Sequence, residues 1–235
     1  MEITGLQNPL VKAAAELKQK KYRQQRGLFL AEGLRTVEEA AAQQVQLICV
    51  SEAVMKKIAD TETPQGVLAV CRMQKISLEE LLAGGRMLLV LDRVGDPGNI
   101  GTMLRTADAA GLGGLLLLKG CADIYAPKTV RASMGSLFHV PVLSGLSEEQ
   151  FVSAAHKAGY ELLVTCLDGA DNLYQADLSG RLAFVMGNEA NGVSAGLLAA
   201  ADKRVFIPMQ GRAESLNVAM AAGIVMFEAL RKNFA

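Results

Sequence analysis

The stretch Met87-Leu-Leu-Val-Leu91-Asp92-Arg93-Val94-Gly95-Asp96-Pro97-Gly98-Asn99-Ile100-Gly101 leaves an apolar run through a polar, glycine-rich turn and enters a helical pattern over Ile100 to Ala110. An apolar run this short, with no polar alternation, suits a strand buried on both faces of a parallel sheet. The same unit recurs along the chain. Leu115 to Leu118, Leu162 to Thr165, Leu182 to Met186 and Arg204 to Ile207 read as further strands. Pro127 to Met134, Ser147 to Ala158, Ala195 to Ala201 and Leu216 to Lys232 read as helices. Alternation of this kind predicts an α/β fold with an open, mostly parallel sheet covered by helices on both faces. In such sheets ligands collect beyond the carboxyl ends of the strands.

The segment on the amino-terminal side is smaller and differently charged. Residues 1–35 carry seven basic and three acidic side chains, a net +4, whereas 142–235 carry seven and ten. Lys12, Lys18, Lys20, Lys21, Arg23 and Arg26 surround Tyr22 in a segment with helical character from Pro9 onward. That pattern fits a solvated helix face as well as a phosphate-contacting surface. Beyond it, Leu28 to Ala31, Leu47 to Val50 and Val67 to Val70 read as short strands, with helices over Leu34 to Ala42 and Glu52 to Ala59. The expected organisation is therefore a small α/β domain over 1–75, a connection over 76–85 and a larger domain over 86–235.

Composition excludes several classes. The chain has 235 residues, 51% hydrophobic and 20% charged, which marks a globular protein rather than a disordered one. No apolar stretch reaches the roughly 20 residues that span a bilayer. The opening Met-Glu-Ile-Thr-Gly lacks a basic flank and apolar run, so a cytoplasmic location is expected. Cys49, Cys71, Cys121 and Cys166 lack paired spacing and read as reduced core thiols. Two histidines, His139 and His156, give little basis for a metal centre, and none is expected.

Three segments beyond predicted strands concentrate glycine, amide and charged side chains: 92–101, 187–194 and 208–217. Glycine permits close backbone approach, and amides and charges fix polar ligands. Neither a dinucleotide fingerprint, nor a P-loop, nor a nucleophile elbow is present. Asp92 and Asp96 read as turn and capping residues rather than catalytic acids. The last helix is apolar nearly all round from Val218 to Phe227, which predicts burial. Ser215 and Asn217 at its start then need partners, supplied either by a ligand or by Ser215 capping the helix.

Asp92-Arg93-Val94-x-Asp96-Pro97-x-Asn99-x-Gly101 with Arg105, Gly187-Asn188-Glu189 with Gly192, and Ile207-Pro208-Met209 leading to Ser215-Leu216-Asn217-Val218 resemble the three motifs of the SpoU family. These are RNA ribose 2′-O-methyltransferases of the SPOUT superfamily. Gln7-Asn8-Pro9, Glu32-Gly33-Leu34-Arg35 and Thr63-Pro64-Gln65-Gly66 resemble the small ribosomal-protein-L30e-like substrate-binding domain of the members that act on ribosomal RNA. The resemblance spans nearly the whole chain and implies a carboxyl-terminal trefoil knot, bound S-adenosylmethionine and a homodimer formed by the catalytic domains.

By position, it implies a cofactor pocket lined by Thr165, Gly187, Ile207, Met209 and Leu216. The implied catalytic and substrate-facing set is Asn99, Arg105, Glu189, Ser215 and Asn217, with Glu189 holding Arg105. RNA contacts are expected from Lys18, Lys20, Lys21, Arg23, Arg26, Arg35, Lys128 and Arg131. The stretch between Ala42 and Ser51 is shorter than in most members, which predicts a shortened small domain. The expected substrate is 23S ribosomal RNA ahead of transfer RNA. The rival expectation is a non-catalytic RNA-binding or ribosome-assembly protein that keeps the fold.

Overall fold

The computed structural model describes residues 2–41, 48–85, 87–166 and 169–233. Most of the stretch expected to be shortened, 42–47, lies outside those ranges. The amino-terminal part runs β1 (Glu2–Ile3), α1 (Pro9–Glu16), α2 (Lys20–Arg26), β2 (Leu28–Glu32), α3 (Leu34–Ala41), β3 (Cys49–Val50), α4 (Glu52–Ile58) and β4 (Leu68–Arg72). Local chemistry sets these boundaries. The Asn8 side chain accepts the Leu10 N–H at 2.9 Å, and Pro9 occupies the first helical position of α1. Gly27 ends α2 in the left-handed conformation at φ 64°. β2 and β4 pair antiparallel, and β1 and β3 pair parallel.

The remainder runs α5 (Leu78–Ala83), β5 (Leu88–Leu91), α6 (Pro97–Ala109), β6 (Gly114–Leu118), α7 (Pro127–Ala132), β7 (Val142–Leu146), α8 (Glu148–Lys157), β8 (Glu161–Thr165), β9 (Asp171–Asn172), β10 (Leu182–Met186), α9 (Ala195–Ala199), β11 (Lys203–Phe206) and α10 (Val218–Asn233). The sheet has seven strands in the order β7-β6-β5-β10-β8-β11-β9, every neighbouring pair parallel. The expected parallel α/β sheet is therefore present. The strands alternate sides as the pleat demands. Leu89, Leu91, Leu115, Leu117, Phe184 and Met186 face α6 and α10, whereas Leu88, Val90, Leu116, Leu118, Ala183 and Val185 face α5, α8 and α9.

Two edge strands depart from the sequence expectation. β7 reads Val-Leu-Ser-Gly-Leu, and β9 has only two residues, so neither carries the continuous apolar run of a central strand. Edge strands need less apolar sequence because part of their surface stays wet. The segment expected to connect two domains, 76–85, is built into the larger core. A capping box of Ser77 and Glu80 starts α5, and Leu81 and Leu82 are buried against the sheet.

The two parts of the chain also share a core. Phe29 and Ala31 of β2 belong to the cluster beneath α6, with the Phe29 ring 4.9 Å from the Tyr125 ring centre. Gln74 Nε2 donates to the carbonyls of Leu137 and Val140 at 2.6 and 3.1 Å, while its Oε1 accepts the Val142 N–H at 2.9 Å. His139 bridges Asp108 of α6 and Glu39 of α3 at 3.1 Å each. The Asp108 bond raises its imidazole above the usual value, and the Glu39 bond adds to that against partial desolvation.

Three further expectations are corrected. Cys49 is exposed because its strand lies at the margin of the small unit, so it is not a core thiol; Cys71, Cys121 and Cys166 are half-buried. Burial pushes the Cys71 and Cys121 thiols up to about 11. α10 is not buried all round. Its exposed stripe includes Met220 at 62% and Phe227 at 47% accessibility, on the side turned away from the sheet. The bound of that helix also moves, since it starts at Val218 and leaves Leu216 exposed before it. Among the described residues no helix is long and apolar enough to cross a membrane.

Candidate active site

β5 is the point where the sheet reverses its order: β6 and β7 lie to one side, and β10, β8 and β11 to the other. The loops leaving β5 and β10 therefore meet at a switch point, the usual position of a ligand crevice. Beside that point, beyond the ends of β8, β10 and β11, the chain forms a cleft of about 680 Å³. Thr165, Gly187, Ile207, Met209 and Leu216, the five residues expected to hold a cofactor, all line it. Glu189, Ser215 and Asn217 line it as well. Asn188 and Val193, within the segment 187–194 marked in the sequence, also contribute to the wall, as does Cys166, which reads in the sequence only as a core thiol.

A directional chain of hydrogen bonds closes one side. Asn217 is the cap of α10, its Oδ1 accepting the N–H groups of Ala219 and Met220 at 2.9 and 3.3 Å. That duty leaves Asn217 Nδ2 to donate to Asn99 Oδ1 at 3.0 Å, and Asn99 Nδ2 then donates to Glu189 Oε1 at 3.0 Å. Because an amide has one acceptor end and one donor end, the orientation of each amide dictates the next. Asn217 thus does the capping expected of Ser215, since its side chain immediately precedes the first helical residue.

Glu189 ends this chain as a carboxylate. Burial raises its carboxyl, but the Asn99 amide, its own N–H and those of Gly95 and Asp96 outweigh that and hold it below the ordinary range. The Gly95 and Asp96 N–H groups lie 3.3 and 3.4 Å from its oxygens. The expected Glu189–Arg105 pair is absent. Glu189 is drawn instead to donors at the start of α6 and just before it, whereas Arg105 is exposed on α6 with no hydrogen bond or ion pair among the described residues. Neither Asn99 nor Arg105 is in the lining of the cleft; Asn99 is tied to its wall through Glu189 and Asn217, and Arg105 is not.

The two aspartates have structural work. Asp96 caps α6 by accepting the Asn99 N–H at 2.9 Å, and that bond, with Lys128, keeps its carboxyl below the usual range. Asp92 is fully buried. It accepts from Arg93 Nε at 2.9 Å and from the Ser194 N–H at 2.8 Å. Asn188 Nδ2 donates to the Arg93 carbonyl at 2.9 Å. The cleft loop 187–194 is therefore clasped to the end of β5 at two places.

The basic residues expected to meet RNA divide into two groups. Lys20, Lys21 and Arg35 are exposed on the amino-terminal unit, and Lys18 and Arg26 lie partly engaged with the Lys57 carbonyl and with Glu16. Lys128 is exposed but 3.2 Å from Asp96. Arg23, by contrast, is buried, donating to the Leu17 and Lys18 carbonyls and to Asp123 at 2.6 Å. Arg131 is drawn to Asp60 at 2.8 Å and Glu32 at 3.7 Å. Both arginines thus tie elements of the chain together through carboxylates, Arg23 in the interior and Arg131 at a half-buried position.

Fold and cleft together define an α/β protein with a cleft beyond the carboxyl ends of its strands, of a volume that suits small organic ligands. Residues 86–227 match the model of the SpoU rRNA methylase family, and residues 8–49 match an MRM3-like substrate-binding domain. The chain is 37% identical over 96% of its length to the 23S rRNA (guanosine(2553)-2′-O)-methyltransferase RlmP of Bacillus subtilis, covering 98% of that protein. The structure superposes with a TM-score of 0.89 on the AdoMet-bound rRNA methyltransferase of Sinorhizobium meliloti, at 34% identity, covering 99% and 98% of the two chains. With AviRb of Streptomyces viridochromogenes in complex with AdoMet the score is 0.85, at 28% identity over 97% and 99%. The chain belongs to the SpoU rRNA methylase family.

Proposed function

We propose that this protein transfers a methyl group from S-adenosylmethionine to a ribose 2′-hydroxyl in RNA, with 23S ribosomal RNA as substrate ahead of transfer RNA. The observation that carries the reading is the convergence of three loops at one cleft, with the Asn99–Glu189–Asn217 chain along its side. The residues fit the cofactor. Gly187 lets the loop 187–193 close tightly on itself, since a methyl there would strike the Gly192 backbone, and Ile207, Met209 and Leu216 offer an apolar surface beside backbone polar groups.

S-adenosylmethionine supplies an activated methyl on a sulfonium. The protein's part is to align the hydroxyl with it, and alignment of two reactants supplies much of the rate. Asn99 and Asn217 hold fixed amide orientations at the mouth, and Glu189 locks the first of them. A guanidinium is a poor proton acceptor, so Arg105 acts as a fork for phosphate and for developing alkoxide charge rather than as a base.

Thr106, next to Arg105, lies 3.6 Å from a methyl built at Gly223 of α10, and the exposed Met220 and Phe227 stand seven residues apart on that helix, on one face. Pairing of two copies through that face belongs to the same reading and would place Arg105 at an interface beside the clefts. Phe227→Glu is expected to shift the protein from dimer to monomer in sedimentation; an unchanged mass would reject this face. The knotted carboxyl-terminal path and a cytoplasmic site of action also belong to the reading. The knot is supported by β10 lying between β5 and β8, with loop 187–194 clasped over the end of β5.

The test is transfer of labelled methyl from S-adenosylmethionine to unmodified ribosomal RNA, followed by mapping of 2′-O-methyl sites. Wild-type protein is expected to label one site, and Asn217→Ala to lose at least about tenfold in rate. RNA binding without transfer would instead favour a ribosome-assembly role.

A further inference from the structure

α7 is six residues long and touches both parts of the chain. On one side it meets α6 at Gly101, where a side chain would stand 2.7 Å from the Thr129 carbonyl and closer still to Ala132. The two helices therefore approach as closely as a glycine allows. Lys128 of α7 pairs with Asp96, the cap of α6, at 3.2 Å. Gly101 lies between Asn99 and Arg105 on α6, so the position of α7 bears directly on the helix that presents both.

The other side of α7 faces the amino-terminal unit. Arg131 Nη1 lies 2.8 Å from Asp60 Oδ2 and 3.7 Å from Glu32 Oε2. Glu32 is buried at the end of β2 and also accepts the Asp60 N–H at 2.8 Å and the Thr61 hydroxyl. A buried carboxylate with this many donors holds a rigid position, and removing its cationic partner leaves a charge poorly compensated. A second tie runs parallel. Buried Thr129 donates to the Asp123 carbonyl at 2.9 Å, and the Asp123 side chain pairs with Arg23 of α2 at 2.6 Å.

We propose that Arg131 is a positioning residue that couples RNA held on the amino-terminal unit, through α7, to the placement of Asn99 and Arg105. The inference rests on the methyltransferase reading of the cleft and adds to it a route by which substrate docking reaches the chemistry. Close-packed elements move as units rather than deforming smoothly, so a shift of β2 and α4 relative to the sheet is passed to α7 and from there to α6. Arg131 is taken up by Asp60 and Glu32, which separates this role from a phosphate contact.

The experiment compares full-length wild type with Arg131→Met, Asp60→Asn, the double variant and Arg131→Lys, using an unmodified 23S ribosomal RNA transcript. Affinities for the transcript and for S-adenosylmethionine are expected to stay within about twofold of wild type. The single-turnover rate at saturating RNA is expected to fall about three- to thirtyfold in each neutral variant, with the double variant no slower than the singles. Arg131→Lys, which keeps one ion pair, should fall between. RNA-dependent protection of amides 99–105 from hydrogen exchange should be present in wild type and lost in Arg131→Met.

A wild-type rate at saturating RNA, with protection retained, would overturn the proposal. So would a loss confined to RNA affinity with a reduced salt dependence, which marks a phosphate contact. A lower melting temperature with an unchanged rate would show a purely structural tie and overturn it equally. Absence of transfer by wild type would instead reject the parent reading of the cleft, before any variant is compared.

Discussion

Gly187→Ala is expected to abolish measurable S-adenosylmethionine binding and to lower stability by about 1–3 kcal/mol. A methyl at this position would stand 2.5 Å from the Gly192 carbonyl oxygen and closer still to the Gly192 carbonyl carbon and the Val193 nitrogen. All three are backbone atoms, so no rotamer change relieves the clash. Nor can the loop retreat easily. Asn188 and Gly192 exchange backbone hydrogen bonds at 3.0 and 2.9 Å, and Asn188 Oδ1 accepts the Ala190 and Asn191 N–H groups at 3.0 Å each. The clasp through Asp92 and the Arg93 carbonyl holds the same loop from the opposite side.

Calorimetric titration with S-adenosylmethionine, alongside a thermal melt, checks the result. Gly95→Ala is the internal control, because nothing lies within 4 Å of a methyl built there. It should bind the cofactor normally. Normal binding by Gly187→Ala would show that the hairpin yields and that its close packing is unimportant to the pocket.

Arg105→Ala is expected to lower kcat by about 10²–10³ with a melting temperature close to wild type. The two halves of that expectation have separate origins. The side chain is exposed and makes no hydrogen bond or ion pair among the described residues, and surface changes of this kind usually stay within about 0.5 kcal/mol. Its position six residues beyond Asn99 on α6 nevertheless sets a planar cation beside the proposed interface of two copies. Arg105→Lys keeps the charge and loses the fork, so a large part of the defect should remain. Steady-state kinetics with RNA binding measured in parallel decides the matter: near-normal turnover by Arg105→Lys with unchanged affinity would rule out the bidentate role.

The cleft side of the expected site was legible because its requirements are local. Short apolar runs announced β5, β10 and β11, and glycine with amides after β10 and β11 announced loops that line the cleft. Helix boundaries were legible for the same reason, as at Ser147, where a capping box with Gln150 starts α8 within four residues of sequence. The edge strand β7 was not, since Ser144 and Gly145 interrupt its apolar pattern and pairing with β6 supplies what propensity lacks.

Charge partners show the sharper division. The sequence by itself determined that the chain would form a parallel α/β sheet, that three polar loops would follow its strands and that a basic segment would precede it. Only the tertiary structure decided that Glu189 takes Asn99 across 90 positions and that Arg23 takes Asp123 across 100. Strand and helix formation depends on periodicity and on neighbours a few residues away. The choice of an ion-pair partner depends on which carboxylate the fold delivers within about 4 Å, and separation along the chain carries no information about that distance.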